Sequence, residues 1–406
     1  VRILLFAFAA ALAAAPAHAG SLVIGYFAGW NGTRGYTVKN IETSGSAGKL
    51  THINYAFGNV AGGKCAVSSA LDDYERPFDA QASVDGSAGN SADARTARGN
   101  FGQLLKLKAL HPNLKVLISL GGWTGSGGFS SAVETEASRR ALVSSCIDLF
   151  VRGNLPNGMT AAGLFDGIDI DWEYPGTCGV QCGVPEDAQR FTELLAEFRR
   201  QLDVEGRQRS KHYELTIAAP AGTHNYIVLE LRRIAPLLDF INLMTYDYHE
   251  AQEPMTNHLA PLDGSKADPS YSRYGWVDAT VADFLAAEVP PSKLVLGLPF
   301  YGAGWKDVPG LNHGMYQRAG GPAKGHGAFR NLKTLQGFDL FRDPETQAAW
   351  LYNSATRVLW TYEDPATIAT KMRYVKKRGL GGAMFWELSG DDDSGTLLNA
   401  IVTGLK

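Results

Sequence analysis

Eight short apolar runs punctuate the chain: Leu22–Phe27, His52–Phe57, Leu114–Leu120, Leu164–Trp172, Tyr213–Ala219, Phe240–Tyr246, Leu294–Tyr301 and Ala383–Leu388. Each is rich in Val, Ile, Leu or aromatic residues, as strands covered on both faces are. Helical spacing fills several of the intervals. Asn100–Leu110 carries Phe101, Leu104, Leu105 and Leu107, and Pro185–Leu202 carries Phe191, Leu194, Leu195, Phe198 and Leu202. Thr280–Ala287 and Pro365–Lys377 repeat the pattern. Strand and helix alternating eight times predict an α/β protein, a (β/α)8 TIM barrel. A doubly wound open sheet is the alternative, but no Gly-x-Gly-x-x-Gly turn opens a helix after the first run.

Two intervals are too long for simple connections. Residues 60–99 are rich in Gly, Ala, Ser and Asp and read as a long loop. Residues 302–360, between strands 7 and 8 of the barrel, hold Trp305, Tyr316, Phe329, Phe338, Phe341, Trp350, Tyr352 and Trp360. That many aromatics can bury a small core, so a small α+β insertion subdomain is expected there.

The first nineteen residues have a different character. Arg2 precedes the apolar stretch Ile3–Leu12, and Ala17-His18-Ala19 is a small-x-small site, the pattern of a signal peptide cleaved after Ala19. The expected mature unit is 20–406, a secreted, extracellular barrel without a membrane span. In the whole chain of 406 residues, 38 basic side chains face 41 acidic ones, for a net charge of −3. No basic field is present to attract nucleic acid or an anionic membrane. Export permits disulfides among Cys65, Cys146, Cys178 and Cys182. Short-range closure of Cys178–Cys182 leaves Cys65–Cys146 as the second pair; free thiols are the alternative. The spacing does not suit zinc.

The candidate chemistry lies in Phe165-Asp166-Gly167-Ile168-Asp169-Ile170-Asp171-Trp172-Glu173. Strand side chains alternate between faces, so Asp169, Asp171 and Glu173 share one face, and Ile168, Ile170 and Trp172 the other. Three carboxylates climbing a barrel strand toward its C-terminal end stand where such barrels hold their active sites. Like charges crowded in a half-buried place resist ionisation, which predicts a raised pKa for Glu173, the outermost acid. A solvated edge strand and a divalent metal site are the competing readings.

At these residues the sequence resembles family 18 of the glycoside hydrolases, the chitinases, through Asp166-x-x-Asp169-x-Asp171-x-Glu173. Ser119-Leu120-Gly121-Gly122-Trp123 is similar to the family's third-strand motif, and Met244-Thr245-Tyr246-Asp247-Tyr248-His249 to its sixth. Leu298–Gly302 and Gly381–Glu387 look like the seventh and eighth. The resemblance implies a chitin or chito-oligosaccharide substrate, no cofactor, no metal and a monomer. It also implies a retaining mechanism in which the substrate's own 2-acetamido group is the nucleophile.

The catalytic set implied is Glu173 as general acid and base, Asp171 orienting the acetamido group, Asp169 sharing a proton with Asp171, and Tyr246 donating to the acetamido oxygen. Asp247 is expected to bind sugar hydroxyls and Trp386 to floor the reactive-sugar subsite. Tyr26, Phe57, Trp123, Met244 and Tyr301, at strand ends, are further candidate cleft residues, with barrel-core filling as their alternative. Trp276, Trp305 and Arg273 are weaker candidates for extending the groove, and Asp166 is expected to be structural. One departure from relatives is Glu250 after His249, where a glycine is common; the segment Glu250–Pro254 is expected to reshape the product side. A non-catalytic sugar-binding protein on the same fold, or an enzyme for another N-acetylated glycan, are the rival functions.

Overall fold

The computed structural model describes residues 20–88, 95–271, 275–325 and 327–406. The expected signal peptide and Arg273 lie outside the described residues. Thirteen strands follow in order: β1 (Leu22–Ala28), β2 (His52–Ala61), β3 (Lys64–Val67), β4 (Lys115–Gly121), β5 (Gly167–Asp171), β6 (Glu214–Pro220), β7 (Phe240–Met244), β8 (Leu294–Pro299), β9 (Gly302–Trp305), β10 (Asp339–Asp343), β11 (Ala348–Asn353), β12 (Val358–Tyr362) and β13 (Gly382–Trp386). Eight of them, β1, β2, β4, β5, β6, β7, β8 and β13, pair in parallel, and β1 pairs with both β2 and β13. The sheet therefore closes on itself as a (β/α)8 barrel, and the eight apolar runs are its eight staves.

The alternation within each stave divides the core in two. Leu22, Ile24, Tyr26, Leu117, Phe240, Val295 and Met384 pack together inside the barrel. Neighbours one residue away, such as Val23, Phe27, Ile118, Ile241 and Phe385, join the larger layer under the helices. Helices Gly99–Leu110, Asp187–Arg209, Val277–Ala286 and Pro365–Arg378 occupy the four stretches of helical spacing. The helix Pro365–Arg378 starts on a capping box, with the Asp364 carboxylate accepting from the Ala366 and Thr367 N–H groups, and stops at Gly379 in the left-handed region. At the barrel's N-terminal end the buried Glu214 carboxylate bonds His52 and Lys115. There too Asp166 accepts from Lys108 Nζ, Lys211 Nζ and the Val116 N–H, which gives it the structural place expected of it.

Residues 60–99 are not the plain loop the composition suggests. β2 runs on to Ala61 and turns back through Gly62-Gly63 into β3, antiparallel to it. Both glycines have positive φ (57° and 73°), as a two-residue hairpin turn of this kind demands. The short runs on either side of a Gly-Gly pair were the overlooked signal. Cys65 of this hairpin is bonded to Cys146 of the helix Glu136–Cys146, and Cys178 to Cys182.

Between β8 and β13 the chain builds a second sheet, antiparallel, in the order β10-β11-β12-β9. Its core is Trp305, Val308, Met315, Trp350, Tyr352 and Leu359. It is braced on the long loop after β7: Trp305 Nε1 donates to the Glu253 carbonyl, and Thr256 Oγ1 to the Gly314 carbonyl.

The Cys65–Cys146 crosslink closes a long loop, its ends 81 positions apart in the chain, so its removal should be costly. The paired Cys65→Ser, Cys146→Ser variant is expected to lose on the order of 2–4 kcal/mol of stability, read as a lower urea midpoint than wild type.

Candidate active site

The strand β5 carries Asp169 and Asp171 into the barrel, with Ile168 and Ile170 turned to the helices, and Glu173 follows two residues beyond. Asp169 is fully buried and accepts four hydrogen bonds from four other staves. Tyr26 Oη (2.7 Å, from β1) and Ser119 Oγ (2.8 Å, from β4) reach Oδ2. Thr216 Oγ1 (2.5 Å, from β6) and Asn242 Nδ2 (3.3 Å, from β7) reach Oδ1. Burial raises the Asp169 pKa while these donors pull it down. Donor hydrogens fill the directions a cation would need, so the carboxylate does not suit a metal. No group of three or more His, Cys, Asp or Glu is arranged to hold a metal ion among the described residues.

Asp171 stands next along the row. Its Oδ1 is buried with no hydrogen-bond partner among the described residues. No hydrogen bond joins it to Asp169, whose oxygens accept from the four other staves. Burial, then the charges of Glu173 and Asp169, push the Asp171 pKa well up. Glu173, 9% exposed at the cleft floor, is raised to about 7, by burial first and by the Asp247 charge, while Tyr174 pulls the other way. Burial thus contributes more than the crowding of like charges that the sequence suggested.

Backbone geometry fixes this row. Gly121 and Gly122 have φ of 110° and 81°, and a side chain on either has no room. A Cβ on Gly121 would lie 2.3 Å from the Asp171 carbonyl oxygen, and one on Gly122 2.5 Å from the Phe57 ring. The Gly122 N–H donates to that same carbonyl at 2.8 Å. The two glycines of the third-strand motif are therefore what lets the β4 loop close against the acids.

Above the row opens a cleft of about 560 Å³. Of the candidate residues, Tyr26, Phe57, Trp123, Asp171, Glu173, Met244, Tyr246, Asp247, Tyr301 and Trp386 all line it, and Asp169 lies beneath. Trp386 stacks on Phe57 (5.7 Å, 15°) and tilts against Tyr26 (5.6 Å). Trp123, 51% exposed, stands at the rim with its edge to Tyr174. Asp247, with φ of 57°, accepts from Tyr301 Oη at 2.7 and 2.8 Å; burial raises it to about 7 against that bond. Burial and the surrounding carboxylates lift Tyr246 far above the usual phenol range, so its hydroxyl keeps its proton and serves as a donor.

Two weaker candidates fall away. Trp305 is fully buried in the core of the second sheet, its indole bonded to the loop after β7. Trp276 stacks on Tyr271 (5.0 Å, 16°), outside the cleft lining. Conversely, Trp30, Thr124, His224 and Asn225 line the cleft and were missed. All four follow barrel strands in the chain, Trp30 in the short helix Gly29–Arg34 and His224 and Asn225 in Thr223–Tyr226, and a reading of strand ends alone passes them by. Trp30, 40% exposed, packs on both Phe57 and Trp386. Glu250 lines the cleft as well, and with Gln252, Glu253 and Pro254 it carries the wall on into an adjoining hollow. Cys178, of the short disulfide loop, lines the cleft too.

The cleft sets a carboxyl that holds its proton near neutral pH among aromatic faces, a combination that suits acid–base chemistry on a ligand with flat apolar faces. The chain belongs to the glycosyl hydrolases family 18, whose family model matches residues 22–391. It is 37% identical over 394 residues to chitinase 63 of Streptomyces plicatus, covering 94% of this chain and 60% of that protein. To chitinase C of Streptomyces lividans it is 38% identical, covering 94% and 59%. The chain thus spans about three-fifths of the length of these relatives. Among solved structures, the catalytic domain of a psychrophilic chitinase B from Arthrobacter TAD20 superposes with a TM-score of 0.89 at 39% identity, covering 95% of each chain.

A carboxyl whose folded pKa lies above its ordinary value stabilises the fold below that ordinary value, and loses the contribution as pH rises through the folded one. For Glu173 the window runs from the ordinary 4.5 to about 7. Glu173→Gln should therefore melt above wild type by a few degrees at pH 8 and level with it near pH 4.5, in paired thermal melts across that range.

Proposed function

We propose that this protein is an exported chitinase, which cleaves β-1,4 links between N-acetylglucosamine units with retention of the anomeric configuration. The observation that carries this reading is the buried, unpartnered Oδ1 of Asp171 at the floor of the cleft, beside a Glu173 held protonatable near neutral pH. A lone acceptor beside a proton donor answers the two demands of acetamido-assisted cleavage. The family membership and the names of the relatives support the same substrate, and the two disulfides suit a protein outside the reducing cytoplasm.

Glu173 gives its proton to the glycosidic oxygen as the bond to the anomeric carbon breaks. The acetamido carbonyl oxygen of the same sugar attacks that carbon from the opposite side and forms an oxazolinium ion. Asp171 accepts the acetamido N–H, orients the group and offsets the positive charge it develops. Tyr246 donates to the acetamido oxygen and holds it near the anomeric carbon. Glu173, now a carboxylate, takes a proton from the water that opens the ring, which returns both the configuration and the enzyme. Asp169, saturated by four donors, anchors the foot of the row and repels negative charge on Asp171. Trp386, with Phe57 and Trp30 against it, offers the apolar platform on which a sugar face packs, and Asp247 accepts from ring hydroxyls.

Release of a fluorogenic group from chitobiose and chitotriose glycosides, with chelator present, tests the reading. Wild type should turn over, and Glu173→Gln should lose at least ~10²-fold in kcat, as for removal of a general acid. The acid must hold its proton, so kcat/KM should fall as pH rises through about 7. Absence of wild-type turnover on both glycosides would sink the proposal, and binding without turnover would favour a sugar-binding protein of the same fold.

A further inference from the structure

Glu173 lies past the last paired residue of β5, where the ladder with β4 ends at Gly121 opposite Asp171. Its backbone N–H is nonetheless satisfied, by a side chain 47 residues away. Ser126 Oγ accepts from the Glu173 N–H at 2.9 Å and lies 2.9 Å from the Gly122 carbonyl and 3.2 Å from that of Asp171. One buried hydroxyl therefore joins the backbone of Glu173, the backbone of Asp171 and the glycine turn after β4.

The turn that carries this hydroxyl, Ser126–Gly128, is itself held on both sides. A Cβ on Gly127 would lie 1.9 Å from Gln181 Oε1, and one on Gly128 2.1 Å from the Val60 carbonyl oxygen. Gln181 belongs to the disulfide-closed loop Cys178–Cys182, and Gly179 of that loop packs on the Glu173 carbonyl, where a Cβ would stand 2.5 Å away. The peptide of Glu173 is gripped at its N–H by Ser126 and at its carbonyl by Gly179. The Tyr174 hydroxyl bonds the Glu173 carboxyl itself, while these backbone contacts set where that side chain starts.

We infer that Ser126 is a positioning residue for the reaction, setting the direction in which the Glu173 carboxyl enters the cleft relative to Asp171. The inference rests on the catalytic role proposed for Glu173. Ser126 is not among the residues that line the cleft. It acts through the backbone, and a displacement on the order of 1 Å at a proton donor lowers a rate by about 10²-fold.

The experiment is steady-state kinetics on the fluorogenic chitobiose glycoside for Ser126→Ala, Glu173→Gln and the double variant, with melting temperatures and pH profiles. Ser126→Ala should lower kcat by about 10- to 100-fold, leave KM within about twofold, and move the alkaline limb of the profile to lower pH as the carboxyl gains water. Ser126→Thr, which keeps the hydroxyl, should recover most of the loss. In the Glu173→Gln background, Ser126→Ala should cost less than about twofold more, because the group it positions is gone. Should alanine prevent folding, Ser126→Cys, close in size but a weak donor and acceptor, carries the same comparison. Wild-type kcat and pH profile in Ser126→Ala, or equal losses in both backgrounds, would overturn the inference. Full turnover by Glu173→Gln would overturn the catalytic reading beneath it.

Discussion

A carboxylate at the centre of a barrel has no access to water, and everything above Asp169 depends on how that cost is met. Four donors from four staves converge on its two oxygens. Each donor is a polar group on an inward-facing side chain of an otherwise apolar stave, and each would be a costly orphan without the acid. The set is thus mutually required: Asp169 satisfies Ser119 and Thr216 as much as they satisfy it. Once its oxygens are filled, it presents only negative charge to Asp171, and Asp171 is left with an acceptor aimed at nothing in the protein. The free acceptor of the active site follows from the saturated one beneath it.

The same economy of position governs the rim. The glycine turn after β4, the Ser126 hydroxyl and the disulfide loop after β5 close around the backbone of Glu173, while the second sheet stiffens the loop that carries Asp247 and Glu250. The acids are carried by one stave, but neighbouring segments hold them still. Raised pKa values at Glu173 and Asp247 are the electrostatic expression of that enclosure, because burial is the first cause of each.

Much of this was legible from residue order. Period-two alternation from Ile168 to Glu173 determines which side chains share a face whatever the surroundings, so the acid row was readable before any coordinate. The eight apolar runs, each buried on both faces, announced a closed parallel sheet. The wrong or missing readings share a physical origin. Trp305 and Trp276 have the chemistry of sugar platforms, but indole is equally at home in a core or on another ring, and only packing chooses. Trp30, His224 and Asn225 sit in short helices of the strand-to-helix connections, whose path across the mouth no periodicity encodes. The hydrogen-bond partners of Asp169 come from β1, β4, β6 and β7, far away in the chain, and adjacency along one strand does not reveal them.

The sequence alone therefore determined what is local and periodic: the staves, the faces of each stave, and the chemistry of the residues at strand ends. Tertiary structure alone decided the partners. It chose which carboxylate would be saturated and which left open, how far burial would lift Glu173, which aromatics would form the floor, and that a serine 47 residues away would hold the peptide of the acid. The division has a simple cause. Side-chain direction along a strand is set by covalent geometry, whereas hydrogen-bond partners and desolvation are set by what closure of the barrel brings across its lumen and mouth.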